Sequence, residues 1–465
     1  MKLHDTIAAI ATPVGSGGIA ILRISGKDAQ TILAKVGTAK NKKPVSLWES
    51  HKLTLCHIHP ENRADQPLDQ ALAVIMRAPH SYTGEDVAEI HCHGGFFAAN
   101  QILKHLLNAG ARLAEPGEFT RRAFLNGKTS LNEAEAVMDL IDASSDLGLT
   151  NAARALNGAL SAQLTALRER IMALTAHISA AADYPEEVDP PTREETAAQL
   201  NEIRTNIQAL LDTFDTGRML QDGVLTVIVG RPNVGKSSLL NTLLRTERAI
   251  VTDIPGTTRD VIEESVAVGG MRLRLMDTAG MRSGAGTVEQ IGIDRAKEHM
   301  QKADLCLFVI DSSHPLEEED YAIAKALAGK RVLVLLNKTD KASCITEEEA
   351  ATALQLPVSC ILKTAVPKDG AAQGIPDLED AIRRLLLSQR VNAGQVCLSN
   401  ARQRDALTKA MDALMHAIAA NEGAMPFDLL YVDLEDVLSA LGEVTGQTVR
   451  EEIIDEVFGR FCVGK

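Results

Sequence analysis

The chain has 465 residues, with 48 Lys and Arg against 62 Asp and Glu, a formal net charge of −14. Hydrophobic residues make up 45% and charged residues 24%, so the chain can bury ordinary globular cores, in about three domains at roughly 150 residues each. The negative charge and the 3% of aromatic residues argue against a nonspecific polyanion binder and against a general single-strand binder built on stacked aromatics. Any contact with nucleic acid is therefore expected to be local.

Cysteine usage and the start of the chain indicate the compartment. The seven cysteines are scattered and include no Cys-x-x-Cys pair, so neither a disulfide framework nor a zinc ribbon is indicated. Residues 1–5 lack the apolar region of a signal peptide, and no run of about 18 uninterrupted apolar residues occurs. We expect a cytoplasmic protein with no membrane span.

The first two segments differ in composition. Residues 1 to about 120 mix short β-rich runs at 19–24, 72–76 and 87–91 with Gly and Pro, which predicts a compact α+β domain. From about 121 to 182 alanine dominates and proline is absent, and one apolar stripe predicts a long helix. The stripe consists of Leu156, Leu160, Leu164, Leu167, Ile171, Leu174 and Ile178.

The second half of the chain predicts a parallel sheet followed by more helices. Apolar strands at 225–229, 273–276, 305–310 and 332–336 alternate with helical segments, as in a sheet wound on both faces. After residue 386 the chain is helical almost to residue 465. The economical architecture is one helical domain in two sequence halves with the α/β domain inserted between them, and an independent C-terminal bundle is the alternative.

A phosphate-binding motif follows the strand predicted at 225–229. Residues 230–237 read Gly-Arg-Pro-Asn-Val-Gly-Lys-Ser and open a helical run. The glycines let backbone N–H groups curl around a phosphate at a helix N-terminus, Lys236 can reach the β- and γ-phosphates, and the Ser237 hydroxyl can bind Mg²⁺. This strand-then-helix context makes nucleotide binding a specific prediction.

Two further motifs indicate that the nucleotide is GTP. Residues 277–280, Asp-Thr-Ala-Gly, come directly off the strand at 273–276, which puts a carboxylate near Mg²⁺ and a glycine N–H near the γ-phosphate. Residues 337–340, Asn-Lys-Thr-Asp, end the strand at 332–336. The carboxylate of Asp340 can accept both N1–H and N2–H of guanine, and adenine supplies neither.

A switch loop is predicted between these motifs. Residues 252–260 contain a threonine, Thr258 or Thr257, that can close over Mg²⁺ when the γ-phosphate is present. The predicted GTP-binding residues are Asn233, Val234, Gly235, Lys236, Ser237, Ser238, Thr252, Asp253, Ile254, Pro255, Gly256, Thr257, Thr258, Asp277, Thr278, Ala279, Gly280, Asn337, Lys338, Thr339 and Asp340.

The position after the 277–280 motif holds Met281, where some GTPases carry a catalytic glutamine. A methionine cannot orient water. Hydrolysis would then depend on a nearby acid such as Glu289, on a cation, or on a second protomer.

These motifs resemble those of the tRNA-modification GTPase family MnmE (TrmE), and the resemblance extends over almost the whole chain. Outside the nucleotide-binding segment it is carried by six stretches of sequence. They are Asp-Thr-Ile-Ala-Ala-Ile-Ala-Thr-Pro at 5–13, Gly-Gly-Ile-Ala-Ile-Leu-Arg-Ile-Ser-Gly at 17–26, Ser-Tyr-Thr-Gly-Glu-Asp at 81–86, His-Cys-His-Gly-Gly at 91–95, Pro-Gly-Glu-Phe-Thr-Arg-Arg-Ala-Phe-Leu-Asn-Gly-Lys at 116–128, and Phe-Cys-Val-Gly-Lys at 461–465, which is similar to a terminal Cys-x-Gly-Lys signature.

The resemblance implies a multidomain α/β protein. Its parts would be an N-terminal α+β domain at 1–120 that binds 5-formyl- or methylene-tetrahydrofolate and drives dimerisation, an α-helical domain with halves at 121–216 and 386–465, and an inserted Ras-like P-loop GTPase domain at 217–385. The implied partners are a second copy, an FAD-dependent protein of the MnmG (GidA) family in a heterotetramer or larger complex, and tRNA bound mainly through that complex. Such complexes add an aminomethyl or carboxymethylaminomethyl group to C5 of the wobble uridine of certain tRNAs.

The resemblance also implies roles for single residues. The expected folate-binding residues are Arg23, Glu85, Lys128 and Lys465, and the expected catalytic residues are Lys236, Glu289 and Cys462. The expected metal ligands are Ser237 and Thr258 for Mg²⁺, and Asn233, Thr252, Ile254 and Thr257 for K⁺. The last guanine-contacting loop, usually Ser-Ala in the family, is sought at 359–361, where the chain reads Ser-Cys-Ile, so no base contact after Asp340 is named.

Two rival hypotheses remain open on the sequence. The chain could be a GTP-switched factor for ribosome or RNA assembly without modification chemistry, although no Gly-x-x-Gly RNA module or basic tail is found beyond residue 386. It could also be a folate-dependent transferase in which the GTPase plays no part in the reaction.

Overall fold

The computed structural model describes residues 5–13, 15, 17–61, 63–246, 264–276, 299–367, 371–387 and 396–465. The chain divides into two compact units, which we call unit 1 (Met1–Met138 with Gly442–Lys465) and unit 2 (Asp139–Leu441). The domain boundaries expected from the sequence at 120, 216 and 385 stay predictions.

Unit 1 is built on a sheet of seven strands in the order β3-β4-β5-β6-β2-β1-β7. The strands are β1 (Ile7–Ile10), β2 (Ile19–Ser25), β3 (Gly37–Ala39), β4 (Thr54–Ile58), β5 (Asp69–Met76), β6 (Val87–His93) and β7 (Arg112–Leu113). The predicted strands at 19–24, 72–76 and 87–91 are confirmed as parts of β2, β5 and β6. Buried apolar residues of these strands pack against helices α1 (Ala29–Val36) and α2 (Phe96–Asn108), which gives the unit its main core.

A second small core of unit 1 joins residues that are far apart in sequence. Helix α3 (Glu118–Leu125) is followed by α4 (Leu131–Asp142), whose Leu131 and Ala134 are buried with Phe458 and Phe461. Phe458 belongs to α15 (Glu451–Gly459), near the end of the chain. The terminal segment is therefore part of the amino-terminal unit.

Unit 2 has two helices in a region where the sequence pattern predicts a single long helix. The predicted apolar stripe from Leu156 to Ile178 is divided between α5 (Asp146–Leu156) and α6 (Ala159–Asp183). The chain turns at Asn157 and Gly158, whose φ of 80° is a conformation that glycine adopts readily, and Leu156 is only partly buried. The other helices of this part are α7 (Arg193–Leu211), α8 (Phe214–Asp222), α13 (Ala401–Glu422) and α14 (Phe427–Thr445).

Unit 2 also contains a sheet of six strands in the order β13-β12-β11-β8-β10-β9. Its strands are β8 (Val224–Val229), β9 (Glu264–Val268), β10 (Met271–Leu275), β11 (Leu305–Asp311), β12 (Val332–Asn337) and β13 (Ile361–Lys363). All pairs are parallel except β9 with β10, so the parallel sheet predicted for this region is confirmed. Around it lie α9 (Lys236–Thr246), α10 (Glu318–Ala326), α11 (Glu347–Leu354) and α12 (Ile375–Leu386).

Strands β11 and β12 are buried along their whole length, as continuous apolar runs covered on both faces require. Their carboxyl ends lie side by side, with Asp311 opposite Asn337. In an open parallel sheet, ligands bind outside these ends. Within the ranges that the structure describes, no helix is long and apolar enough to cross a membrane.

Candidate functional site

The P-loop, which we define as residues 230–237, joins β8 to α9 and has the backbone geometry that its glycines allow. Gly230 and Gly235 have φ angles of 145° and 110°, and a Cβ on Gly235 would stand 2.1 Å from Nδ2 of Asn337. Both positions lie in a region of φ that side chains rarely adopt. The sequence prediction of a strand, a glycine loop and a helical run from Ser238 is confirmed, and the helix begins two residues earlier, at Lys236.

The Lys236 ammonium lies inside the curl of the P-loop. Its Nζ donates to the carbonyl oxygens of Gly230 at 2.7 Å and Arg231 at 2.6 Å. Burial lowers the pKa of Lys236, because two neutral carbonyls only partly replace the water lost around the charge. A phosphate group would supply the opposite charge that this ammonium lacks.

The guanine loop, residues 337–340, is bound to the P-loop by two hydrogen bonds. Nδ2 of the buried Asn337 donates to the carbonyl of Val234 at 2.8 Å, and Nζ of Lys338 donates to the carbonyl of Asn233, also at 2.8 Å. Asp340, the residue expected to read the guanine, is exposed just beyond them. These contacts bring the predicted phosphate-binding and base-binding segments together.

A segment that the sequence reasoning missed completes the surroundings of Asn337. Its Oδ1 accepts hydrogen bonds from the backbone N–H of Val366 at 3.2 Å and from Oγ1 of Thr364 at 3.4 Å. Thr339 donates to the carbonyl of Thr364 through both its N–H and its hydroxyl. Residues 359–361, where that loop was sought, are the end of a short 3₁₀ turn (Val358–Cys360) and the first residue of β13. The small pair Thr364-Ala365 directly after that strand was the available signal.

The P-loop is also tied to α10 through Arg231. Its Nε lies 2.9 Å from Oδ2 of the buried Asp320, and its NH1 contacts Glu317 at the start of the helix. The carboxylates of Glu317 and Asp320 raise the pKa of Arg231 although burial opposes the charged form. The Arg231 side chain is therefore paired with carboxylates of the protein itself.

Several predicted residues lie outside the described ranges. They are Thr252, Asp253, Ile254, Pro255, Gly256, Thr257, Thr258, Asp277, Thr278, Ala279, Gly280, Met281 and Glu289. Ser237 and Ser238 are described and form the first turn of α9. Among the described residues, no group of three or more His, Cys, Asp and Glu could hold a metal ion.

The residues expected to bind folate all lie in unit 1 around α3. Arg23 on β2 pairs with Glu89 at 2.8 Å, and its guanidinium lies 5.3 Å from the ring centre of Tyr82 and 5.7 Å from that of Phe119. The backbone N–H of Phe119 donates to the carbonyl of Lys465 at 3.2 Å. Arg23 and Lys465 thus share Phe119 as a neighbour.

Glu85 and Lys128 lie beside the same helix. Glu85 accepts hydrogen bonds from Oγ of Ser25 at 2.7 Å and from NH1 of Arg122 at 3.1 Å. The stem of Lys128 packs against Gly84, and its Nζ donates to the carbonyl of Pro79 at 3.0 Å. Arg23 and Lys465 therefore meet at Phe119 of α3, and Glu85 is bonded to Arg122 of the same helix.

The terminal segment 462–465 is fixed against the start of α3. Pro116 and Val463 form an antiparallel bridge, and the N–H of Gly117 donates to the carbonyl of Cys462 at 3.4 Å. A Cβ on Gly464 would stand 2.3 Å from the carbonyl of Ile10, so only glycine fits there. The Cys462 side chain is exposed.

A buried charge network that the sequence reasoning missed supports this cluster. Arg122, with 2% of its side chain exposed, contacts Asp5, Glu85 and Glu118, and the carboxylate of Glu118 has no exposed area. Arg112 bonds to both Asp5 and Glu118 at 2.6 Å. The stretch 116–128 contains Arg122, but nothing in the sequence distinguishes it from the neighbouring Arg121.

Two protein-family models match this chain, and together they span most of its length. A family model described as "GTP-binding protein TrmE N-terminus" matches residues 6–128, and one described as "MnmE helical domain" matches residues 131–462. The tRNA modification GTPase MnmE of Alkaliphilus oremlandii is 42% identical over 469 residues and is covered completely, as is this chain.

Other relatives agree with this assignment. The protein of the same name from Clostridioides difficile is 43% identical with full coverage of both chains, and that of Bacillus subtilis is 44% identical over 99% of this chain and 100% of its own. Among solved structures, the G domain of the FeoB iron transporter of T. maritima covers 34% of this chain, with 96% of its own length aligned, at 27% identity and a TM-score of 0.25. The assignment rests on the sequence relatives and the family models: the chain belongs to the family of the tRNA modification GTPase MnmE.

Proposed function

We propose that this chain is a cytoplasmic, K⁺-dependent GTP hydrolase, activated by dimerisation, that acts with an FAD-dependent protein of the MnmG (GidA) family. Together they would add an aminomethyl or carboxymethylaminomethyl group to C5 of the wobble uridine of certain tRNAs. Membership of the family makes the chain a GTPase of tRNA modification. The roles of K⁺, the second copy and the flavoprotein are supported by the resemblance of the sequence motifs.

The observation that carries the proposal is the direct bonding of the guanine loop to the P-loop. Asn337 and Lys338 each donate to a P-loop carbonyl at 2.8 Å. A guanine nucleotide has its base at one end and its phosphates at the other, so the two recognising loops must be held at a fixed spacing. A frame fixed before binding lowers the ordering cost of binding.

The described residues suggest how the nucleotide is held. We propose that the Lys236 ammonium turns from the carbonyls of Gly230 and Arg231 to the β- and γ-phosphates, where charge-assisted hydrogen bonds are stronger. The carboxylate of Asp340 would accept from N1–H and N2–H of guanine. Glu289 would position the attacking water.

The donor atoms present fit the proposed metal ions. Ser237 at the start of α9 offers a hydroxyl for Mg²⁺, with Thr258, and the Asn233 side chain offers an amide oxygen for K⁺, with Thr252, Ile254 and Thr257. These are hard oxygen ligands, as both ions prefer. Bound there, the ions would supply positive charge beside the transferring phosphoryl group.

We further propose that unit 1 binds tetrahydrofolate through Arg23, Glu85, Lys128 and Lys465, with Cys462 acting in the modification chemistry. The proposal is supported by the arrangement of these residues around α3 and by the anchored tail that carries Cys462. A carboxylate such as that of Glu85 matches the paired N–H donors of a pterin edge.

The cation part of the proposal is tested by GTP hydrolysis in K⁺ and in Na⁺ at equal ionic strength and with excess GTP. We expect a much higher rate in K⁺, because a cation in place of an arginine finger must fit its oxygen ligands. Equal rates in the two salts would contradict the cation proposal and leave the family assignment untouched.

The modification part is tested by nucleoside analysis of bulk tRNA from cells that lack the gene. Loss of the C5-modified wobble uridine is expected, and unchanged wobble uridines would favour a GTP-switched assembly factor. Complementation with Lys236→Ala separates the remaining alternative: substantial modification by this variant would indicate a transferase that does not need GTP hydrolysis.

A further inference from the structure

Asp311, which belongs to none of the nucleotide-binding motifs, is bonded directly to the guanine loop. It is the last residue of β11 and stands opposite Asn337, the last residue of β12, in the parallel register. Only 7% of its surface is exposed. A carboxylate at this depth needs partners that compensate for the loss of water.

The partners of Asp311 connect it to both nucleotide-binding loops. Its Oδ2 lies 2.6 Å from Nζ of Lys338, and the same Nζ donates to the carbonyl of Asn233 in the P-loop. Its Oδ1 accepts from the N–H of Ser313 at 3.1 Å and from the Ser313 hydroxyl at 2.6 Å. Burial opposes ionisation, but the bonds from Lys338 and Ser313 outweigh it and lower the pKa of Asp311 to about 2.

The hydrogen bond from Lys338 to Asn233 joins two residues whose backbone conformations are unfavourable. Lys338 has a φ of 64° and Asn233 a φ of 63°, both in the left-handed region that L-residues avoid. Such conformations persist where the surrounding contacts over-determine them. The four-carbon stem of a lysine is flexible, so its ammonium alone would not hold the Asn233 carbonyl at one position.

We propose that Asp311 is a positioning residue for guanine-nucleotide binding: its carboxylate fixes the Lys338 ammonium, which in turn holds the P-loop at Asn233. Asp311 itself does not touch the nucleotide. It keeps the guanine loop and the P-loop in their binding geometry. This inference rests on the proposed binding of guanine nucleotide by these two loops, and on none of the tRNA, folate or K⁺ proposals.

The test measures the release of a fluorescent GDP analogue and the kinetics of GTP hydrolysis for Asp311→Asn in the full chain. We expect release to become faster by on the order of 10-fold, because a charge-assisted contact is lost. KM should rise while kcat at saturating GTP stays within about twofold, since Asp311 does not touch the transferring phosphoryl group. Wild-type chain that binds no GDP would contradict the proposed function, whereas wild-type binding with unchanged release in the variant would contradict only this inference.

Two further variants separate positioning from a general loss of stability. Glu347→Gln is the control: it removes a carboxylate that lies 2.9 Å from Nζ of Lys363, which belongs to β13 of the same sheet. This variant should leave GDP release unchanged. Ser313→Ala removes the hydroxyl bond to Oδ1 of Asp311 and leaves the bond from the N–H of residue 313 in place, so it should also raise the release rate, but less. If Asp311→Asn does not fold, Ser313→Ala decides the test alone.

A double-mutant cycle with Lys338→Met identifies the route. If Asp311 acts through Lys338, Asp311→Asn should have almost no further effect on GDP release in the Lys338→Met background. An undiminished effect in that background, or an equal effect of Glu347→Gln, would overturn the proposal.

Discussion

Arg122 shows how one buried charge can organise a site that its own side chain does not form. The Arg122 side chain is among the largest that are fully buried. Its guanidinium forms ion pairs with Asp5, Glu85 and Glu118. Burial opposes the charged form, but the carboxylates of Glu85 and Glu118 outweigh it and raise the pKa of Arg122. Because Glu85 is an expected folate contact, Arg122 fixes the position of one side of that candidate site.

Removal of this cation should therefore destabilise unit 1 strongly. Arg122→Met leaves the fully buried Glu118 without one of its two arginine partners, and breaking a buried pair in this way costs about 3–5 kcal/mol. The measurement is the free energy of unfolding in urea, followed by circular dichroism.

The matched control for that variant is Arg460→Met. Arg460 pairs with Glu456 at 2.6 Å, and both side chains are about two-thirds exposed, at 69% and 66%. A pair of this kind contributes about 0–1 kcal/mol. Equal losses in the two variants would show that burial of the Arg122 network is not what makes it important.

At the scale of elements, local patterns in the sequence were more informative than contacts between distant segments. The apolar runs of β8, β11 and β12 and the P-loop glycines identified the sheet and the phosphate site, because these features depend on neighbouring residues. The hydrogen bond from Arg122 to the carbonyl of Asp5 spans 117 residues, and the one from Lys338 to Asn233 spans 105. No periodicity in a single sequence records such pairs.

The stripe from Leu156 to Ile178 shows that a local pattern can also mislead. Its spacing matched one helix, and the structure has two, since the apolar positions keep the same period on both sides of a turn. The glycine at position 158 was the signal for the break. The local conformation of Gly158, with a φ of 80°, prevailed over the helical pattern.

Helix α8, which leads into β8, is closely packed against the segment 396–400 of the same unit. The N–H of Leu398 donates to Oγ1 of Thr213, and Asn151 bonds both the N–H and the carbonyl of Cys397. Gly217 of α8 lies against this segment so closely that a Cβ there would stand 1.9 Å from the carbonyl oxygen of Leu398. The close approach requires a residue without a side chain.

Gly217→Ala should consequently lower the stability of unit 2. The added methyl group must displace backbone, and overpacking of this kind costs about 1–3 kcal/mol or more. Gly459→Ala is the control, because nothing lies within 4 Å of a Cβ at that helical position. The control should leave the urea midpoint unchanged or raise it, as alanine favours helix. A midpoint for Gly217→Ala as high as that of the control would contradict the close packing.

For the whole molecule, the charge of −14 bears on how tRNA is held. Binding of nucleic acid draws on cations that neutralise phosphates, and this chain has an excess of acids. We propose that the flavoprotein inferred above as a partner supplies much of the contact with tRNA.

The isolated chain should then bind tRNA weakly and lose that binding as salt is raised. The measurement is a titration of labelled tRNA with the chain alone and with the flavoprotein added, at two salt concentrations. Tight binding by the chain alone that persists at high salt would contradict this division of labour.

The division of unit 1 into two separate stretches of sequence has a consequence for biosynthesis. Phe458 and Phe461, which pack on Leu131 and Ala134, are translated after the whole of unit 2. At roughly 5–20 residues per second, the roughly 300 intervening residues take on the order of 15–60 seconds to synthesise. During that interval Leu131 and Ala134 lack Phe458 and Phe461, so the nascent amino-terminal unit exposes an apolar surface that only the end of the chain covers.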